Sequence, residues 1–279
     1  MSSMIGIGIG IPFRRMGGGG AANTARTQAF LTATGITDAT IISALNAMDN
    51  SLISAGLLPS GTGAGKIKAL YPIVGGTAAT HKFNFVNPLD TDAAFRLTFF
   101  GGWTHSANGA LPNGTNAYMN SHLIQSSDLS QDSVHFSVYY NIDSTSTLSG
   151  FEGARTSGNL IMGMFPNFPK LLGYISRAVN PTLPNYSKMN GIKIVSRNSS
   201  TNIQQLSGGL YTNDAIDSVD MATVEFYFAA RNLNGVADSF SSIIRCFQTI
   251  GTGLTQLEMT TMESLIQSFN TTLGRQVSY

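Results

Sequence analysis

The chain has 279 residues and a formal net charge of +1, and only 11% of its residues are charged, against about 25% in ordinary soluble domains. This length allows one large domain, or one domain with a smaller attachment region. The small net charge argues against nucleic-acid binding, which depends on Lys and Arg, and no apolar run is long enough for membrane insertion. A surface rich in neutral polar residues favours contact with copies of the same chain or with sugars.

The N-terminal residues alternate strictly between isoleucine and glycine. In an extended strand, Ile5, Ile7, Ile9 and Ile11 would share one face. The glycines between them would allow another backbone to approach closely. Because nothing nearby in the sequence supplies a core for this face, we expect an assembly arm that joins a partner's sheet. A loose tail is the alternative.

A helix is predicted at 37–55, with Thr37 placed to cap it and Gly56 placed to end it. Its apolar positions form one narrow stripe: Ile41, Leu45, Met48 and Leu52. Three such stripes could form a short bundle, so the expected assembly is a homo-oligomer, with a trimer favoured. A stripe docked on the chain's own β domain is the alternative.

The pattern changes near residue 77, which divides the chain into an assembly region at 1–76 and a β domain at 77–279. In the β domain, short alternating stretches are separated by turn-rich gaps. The predicted strands are 81–85, 96–100, 117–123, 134–141, 160–165, 171–177, 191–197, 204–210, 223–231 and 242–250. Two packed antiparallel sheets are the simplest interpretation, which makes the fold class mainly β.

One late helix interrupts the strands. Thr255 and Glu258 have the spacing of a capping box at its start, and Gly274 is placed to end it. Its apolar stripe is predicted to lie on the sandwich.

Motifs for catalysis or cofactor binding do not stand out. Asp90 and Asp92 could place two carboxylates on a calcium-binding loop, although a turn in which each Asp caps itself is the simpler interpretation. The single cysteine and the four histidines show no metal-ligand spacing. Neither a phosphate-binding loop nor a nucleophile elbow occurs. The sequence therefore predicts no catalytic residue, no cofactor, no metal and no enzymatic activity.

Trp103 is the only tryptophan. It follows Gly101 and Gly102 and leads into a polar loop, where an indole could stack on the face of a sugar. A core position at the sandwich edge is the alternative. His105 and Tyr118 complete the candidate glycan site.

Several tracts resemble a known family. The tract 250–277 and the tract 87–118 are similar to laminin-G-like, concanavalin-type jelly rolls found in tailed-phage virion proteins. The stretch 68–82 is similar to the segment that often leads, in such proteins, from a helical part into the jelly roll. The resemblance covers roughly 30–277 and leaves out the Ile-Gly arm.

The resemblance implies a concanavalin-like antiparallel sandwich, preceded here by an extended arm and one helix. It also implies a structural or adhesion role in a virion, at a fibre, spike or head or tail decoration, with other virion proteins as partners. It supplies no catalytic motif. If the sandwich faces outward, a host-surface glycan is the expected ligand. The alternatives are a purely architectural capsid or tail protein without a ligand, and a polysaccharide depolymerase with a site built across subunits.

Overall fold

The computed structural model describes residues 22–142, 151–156, 160–167, 170–176 and 190–277. The four isoleucines of the predicted arm lie outside these residues.

In chain order the strands are β1 Ile67–Tyr71, β2 Thr98–Phe100, β3 Trp103–Ser106, β4 Gly109–Pro112, β5 Tyr118–Ile124, β6 Val134–Tyr140, β7 Glu152–Thr156, β8 Leu160–Asn167, β9 Lys170–Ile175, β10 Gly191–Ser199, β11 Asn202–Ser207, β12 Leu210–Ala215, β13 Glu225–Phe228, β14 Arg231–Leu233, β15 Val236–Asp238 and β16 Arg245–Gly251. The helices are α1 Ala25–Thr34, α2 Ala39–Ser54, α3 Ala78–His81, α4 Gln125–Asp128 and α5 Gln256–Thr272, with a 3-10 turn at Asp92–Ala94.

The strands form two sheets that pack face to face, which confirms the predicted mainly β sandwich. One sheet has the order β12-β11-β10-β6-β16-β4-β3, with β1 also paired to β16. We call it the covered sheet, because α1, α2 and α5 share an apolar cluster with its outer side chains. The other, which we call the outer sheet, has the order β15-β14-β7-β13-β5-β2, extended from β7 by β8 and β9. The pairing is antiparallel except between β14 and β7.

Strand β6 shows how the covered sheet is built. Phe136, Val138 and Tyr140 point into the core between the sheets, whereas Tyr139 points to the helices. All seven residues of the strand are buried, as expected for a strand covered on both faces. The described helices include none long and apolar enough to cross a membrane.

A buried ion pair connects the two sheets. Arg245 on β16 donates to the carboxylate of Glu152 on β7, and neither side chain is exposed. The carboxylate also accepts the hydroxyl of Tyr140 at 3.0 Å and the backbone amide of Ala229 at 2.6 Å. The charge is therefore satisfied by hydrogen bonds from both halves of the sandwich.

The N-terminal region differs from the sequence prediction in two ways. From residue 22 onward, two helices precede the sandwich rather than one. The helix predicted at 37–55 is α2, capped by Asp38 instead of Thr37. Three residues of its stripe are buried within the chain itself: Leu45, Met48 and Leu52, with Ile41 partly buried beside them. The structure thus shows the docked stripe that the sequence left as the alternative, and the trimer stays a prediction.

Candidate functional site

The outward face of the outer sheet carries a row of aromatic rings across three neighbouring strands. Phe100 on β2 stacks on Tyr118 of β5, with ring centroids 4.7 Å apart and an angle of 11° between the planes. Tyr118 stacks in turn on Tyr227 of β13 at 4.6 Å and 24°. Phe100 ends the row on the edge strand, and it is 42% exposed.

The strand period explains this row. Along each strand, successive side chains point to opposite faces of the sheet. Phe99, Met119 and Phe226 therefore enter the core between the sheets. Their neighbours Phe100, Tyr118 and Tyr227 face outward.

A polar cluster continues the same face. The Nδ1 atom of His122 lies 3.2 Å from Oε1 of Glu225, and the side-chain amide of Asn120 donates to Oε2 of Glu225 at 2.6 Å. On the other side of the imidazole, Nε2 lies 2.8 Å from the hydroxyl of Thr98 and 3.4 Å from a carboxylate oxygen of Asp92. Three adjacent strands thus place a hydroxyl, an imidazole and a carboxylate in contact.

His122 owes its position to an irregular backbone. Between the pairs Glu225–Ile124 and Tyr227–Asn120, β5 contains three residues where β13 contains one. His122 lies in this bulge with a positive φ of 57°, a conformation that costs a non-glycine residue about 1–3 kcal/mol. Its backbone amide donates to the side-chain oxygen of Asn120 at 2.8 Å. Bulges of this kind redirect a side chain and are common beside functional sites.

Burial and neighbouring groups keep the hydroxyl groups of Tyr118 and Tyr227 protonated. Burial, followed by the neighbouring Tyr118 and Glu225, raises the pKa of Tyr227 to about 12. Burial and the carboxylate of Glu225 also raise the pKa of Tyr118. The face therefore presents hydroxyl groups that can donate or accept hydrogen bonds.

Asp90 and Asp92, considered above as calcium ligands, are engaged by cations. Asp90 accepts from Lys82 at 2.5 Å and from Arg96 at 3.2 Å, and Arg96 also donates to Asp92 at 2.9 Å. The hydrogen bond from Lys82 is the main cause that lowers the pKa of Asp90. Within the described residues no three His, Cys, Asp or Glu side chains are grouped to hold a metal ion.

The structure brings two of the three predicted glycan residues together, Trp103 and His105, whose ring centroids are 6.1 Å apart. Tyr118 belongs to the outward aromatic row. Trp103 lies on β3, partly buried against the core, with its ring edge-to-face on Phe99 at 5.4 Å and its Nε1 donating to the Phe100 carbonyl at 2.9 Å. His105 packs on the same Phe99 ring at 4.7 Å. Trp103 therefore has the environment of the sandwich-edge position that the sequence left as the alternative.

Buried histidines give the fold a pH dependence. Burial, followed by the adjacent His105 and Arg275, lowers the pKa of His81 to about 3. Burial lowers the pKa of His135 to about 4. In the unfolded chain both would bind protons near pH 6.5. Between these native pKa values and 6.5, the unfolded chain binds more protons than the folded one. The contribution of the two histidines to stability is therefore fully present above about pH 6.5 and is lost as the pH falls towards 4.

We expect the free energy of unfolding to fall by up to about 1.4 kcal/mol per pH unit for each of these two histidines across that window. Urea unfolding at several pH values measures this change in the free energy of unfolding with pH. His135→Gln should flatten the slope between about pH 6 and pH 4.5, because its side chain does not titrate. An equal slope in the variant and the wild type would contradict the assignment.

No protein-family model and no curated protein sequence matches the chain, but solved structures resemble it. A mutant of Trypanosoma rangeli sialidase that displays trans-sialidase activity is 10% identical, with a TM-score of 0.50 over 84% of this chain. A mutant of NanB sialidase from Streptococcus pneumoniae is 14% identical, with a TM-score of 0.42 over 58%. Domain 4 of AbnA, an extracellular arabinanase from Geobacillus stearothermophilus solved with arabinotriose, is 14% identical, with a TM-score of 0.40 over 71%.

The chain spans 38% of the length of the T. rangeli protein, 27% of NanB and 98% of the arabinanase domain. At these identities the likeness concerns the fold. It corrects one expectation: the prediction of a chain without enzymatic activity is contradicted, because the T. rangeli sialidase mutant of similar fold displays trans-sialidase activity. The prediction rested on the absence of recognisable catalytic motifs, and that absence did not exclude catalysis.

Proposed function

We propose that the chain binds a neutral carbohydrate on the outward face of its outer sheet. The observation that carries this proposal is the row Phe100–Tyr118–Tyr227 beside the hydrogen-bonding groups of Asn120, His122 and Glu225. Sugar recognition needs an apolar surface for the ring and polar groups for its hydroxyls, and this face offers both.

Phe100 provides the main apolar contact in this proposal. Tyr118 covers one side of its ring, and the strand that carries it lies at the sheet edge. A sugar placed against Phe100 brings its hydroxyl groups towards Thr98 and His122 on the same face. Because only 11% of the residues are charged, we expect binding to depend little on salt.

The setting proposed for this activity is a phage virion, in which the chain is a fibre, spike or decoration protein that contacts glycans on the host surface. The resemblance of 87–118 and 250–277 to virion jelly rolls supports it, as does the sparsely charged surface. The Ile-Gly arm and other virion proteins would provide assembly, with a homotrimer favoured. Single sites of about millimolar to micromolar affinity would suffice, since many copies on one particle add avidity.

Phe100→Ala tests the proposal. On an array of neutral polysaccharides followed by titration, we expect the wild type to bind and the variant to lose about tenfold in affinity, equivalent to about 1.4 kcal/mol. The melting temperature should fall only modestly, because Phe100 is 42% exposed and lies outside the core between the sheets.

Val236→Ala is the matched control. Val236 is 67% exposed and lies on β15, at the opposite edge of the same sheet. The affinity of the Val236→Ala variant for the polysaccharide should therefore equal that of the wild type. Equal binding by the wild type and Phe100→Ala would place the ligand elsewhere. Absence of binding to every neutral polysaccharide would leave the purely architectural role.

A further inference from the structure

The polar cluster on the outer sheet has the order of a nucleophile, a base and an orienting carboxylate. The hydroxyl of Thr98 lies 2.8 Å from Nε2 of His122, and Nδ1 of the same ring lies 3.2 Å from Glu225. Hydrogen-bonded hydroxyl–imidazole–carboxylate sets are the arrangement that activates a hydroxyl for acyl transfer. We infer that this trio forms a hydrolytic site for acyl esters.

The carboxylate of Glu225 favours the tautomer of His122 that carries its proton on Nδ1. In this tautomer Nδ1–H donates to Glu225, and the lone pair of Nε2 accepts the hydroxyl proton of Thr98. Asn120 holds the other oxygen of Glu225 at 2.6 Å and fixes the carboxylate. When His122 takes up the proton, Glu225 on one side and Asp92 on the other stabilise the imidazolium.

Exposure and backbone strain support a role beyond folding. The His122 side chain is 14% exposed, that of Glu225 34% and that of Asp92 58%, so a ligand on the outward face can reach all three. The strained bulge at His122 turns its ring towards both Thr98 and Glu225. Retained strain of this kind concentrates at functional sites.

The reaction balances with water as the second reactant. The Thr98 oxygen attacks the ester carbonyl, while His122 takes the hydroxyl proton and then gives it to the departing alkoxide. This step leaves an acyl group on Thr98 and releases an alcohol. A water molecule then loses a proton to His122 and attacks the acyl group. The free acid leaves, and Thr98 regains its proton from His122.

The substrate class follows from the neighbouring aromatic ring, and this step rests on the proposed function. Thr98 and Phe100 are two residues apart on one face of β2, a separation of about 7 Å along the strand. A sugar stacked on Phe100 would therefore place a substituent near the Thr98 hydroxyl. The substrate assigned to the trio is an O-acetylated neutral saccharide, whose acetyl group would be released as acetate.

The test uses the full chain with two substrates, p-nitrophenyl acetate and an O-acetylated neutral polysaccharide. We expect the wild type to release acetate from both, and Thr98→Val, which removes the hydroxyl at nearly constant shape, to lose at least about 100-fold in rate. Thr98→Ser should retain activity. Thr104→Val, at an exposed threonine of β3, is the matched control and should behave as the wild type. An acetyl group trapped on the peptide containing Thr98 would identify the nucleophile by mass spectrometry.

Glu225 is a positioning residue, and Glu225→Gln should lower kcat on p-nitrophenyl acetate with little change in KM. Equal rates for the wild type and Thr98→Val, or no acetate release by the wild type, would overturn the inference. Binding of the deacetylated polysaccharide is measured in parallel. Binding without acetate release refutes the ester site alone, whereas hydrolysis of p-nitrophenyl acetate without polysaccharide binding refutes the proposed function alone.

Discussion

Replacing Glu152 with alanine is expected to lower the free energy of unfolding by about 3–5 kcal/mol. The change leaves Arg245 as an unpaired charge inside the sandwich, where neither side chain of the pair is exposed. It also removes the acceptor of the Tyr140 hydroxyl and of the Ala229 amide. Urea unfolding followed by circular dichroism measures the loss.

Two further variants separate the unpaired charge from lost packing. The double variant Glu152→Leu with Arg245→Met removes both charges at similar volume, and it should recover much of the stability. Asp238→Ala breaks the partly exposed pair with Arg231 and should cost no more than about 1 kcal/mol. A loss for Glu152→Ala as small as that for Asp238→Ala would show that the pair is solvated in solution.

Leu45→Ala is expected to cost about 2–5 kcal/mol of stability, the usual range for truncating a buried leucine. Leu45 lies on α2 and is completely buried in the cluster between the helices and the covered sheet. Because this contact is internal, the solution mass of the variant should equal that of the wild type. Chemical unfolding and sedimentation measure the two quantities.

Leu257 supplies the comparison for this change. It is 75% exposed on α5, so Leu257→Ala should change stability by less than about 0.5 kcal/mol. If Leu45→Ala were nearly neutral and reduced the solution mass to that of a monomer, the stripe would form the subunit interface that the sequence suggested.

Local signals of the sequence predicted the elements that depend on local chemistry. The capping box of Thr255 and Glu258 is present, with both reciprocal bonds, at the start of α5. The alternating stretch at 134–140 is β6. Helix α1 was missed because its residues, rich in Ala and Thr, show little amphipathic pattern. Its stability comes from burial of Phe30 and Leu31 and from the ion pair of Arg26 with Asp49.

The strand predicted at 81–85 is absent for a similar reason. Thr77 caps the short helix α3, which ends at His81. The side chain of Asn84 then accepts the backbone amide of Leu70 at 3.0 Å, so a side chain takes the place of a strand partner there. The conformation of this segment therefore depends on a contact between Asn84 and β1, which the local sequence pattern does not indicate.

The candidate site was only partly accessible from sequence. The alternation of Tyr118, Asn120 and His122 indicates one outward face of a strand. It does not show that Thr98 and Glu225 lie on the adjacent strands, because register is set by long-range pairing. The bulge that turns His122 towards both is likewise invisible in a sequence. Trp103 carries the only indole of the chain, but its partly buried surroundings are those of the sandwich edge.

The helix layer makes the two sides of the molecule structurally different. Thr24, at the start of α1, is held to α2 through Asn46 and Asp49. Helix α2 packs on α5, which lies on the covered sheet. The aromatic row lies on the far side of the outer sheet. If residues before Thr24 fasten the chain to a particle while the aromatic row holds a ligand, any tension between the two crosses the full thickness of the sandwich. This tension would act to separate the two sheets, which the buried pair of Glu152 and Arg245 holds together. The resistance of the molecule to mechanical load would therefore depend on that pair.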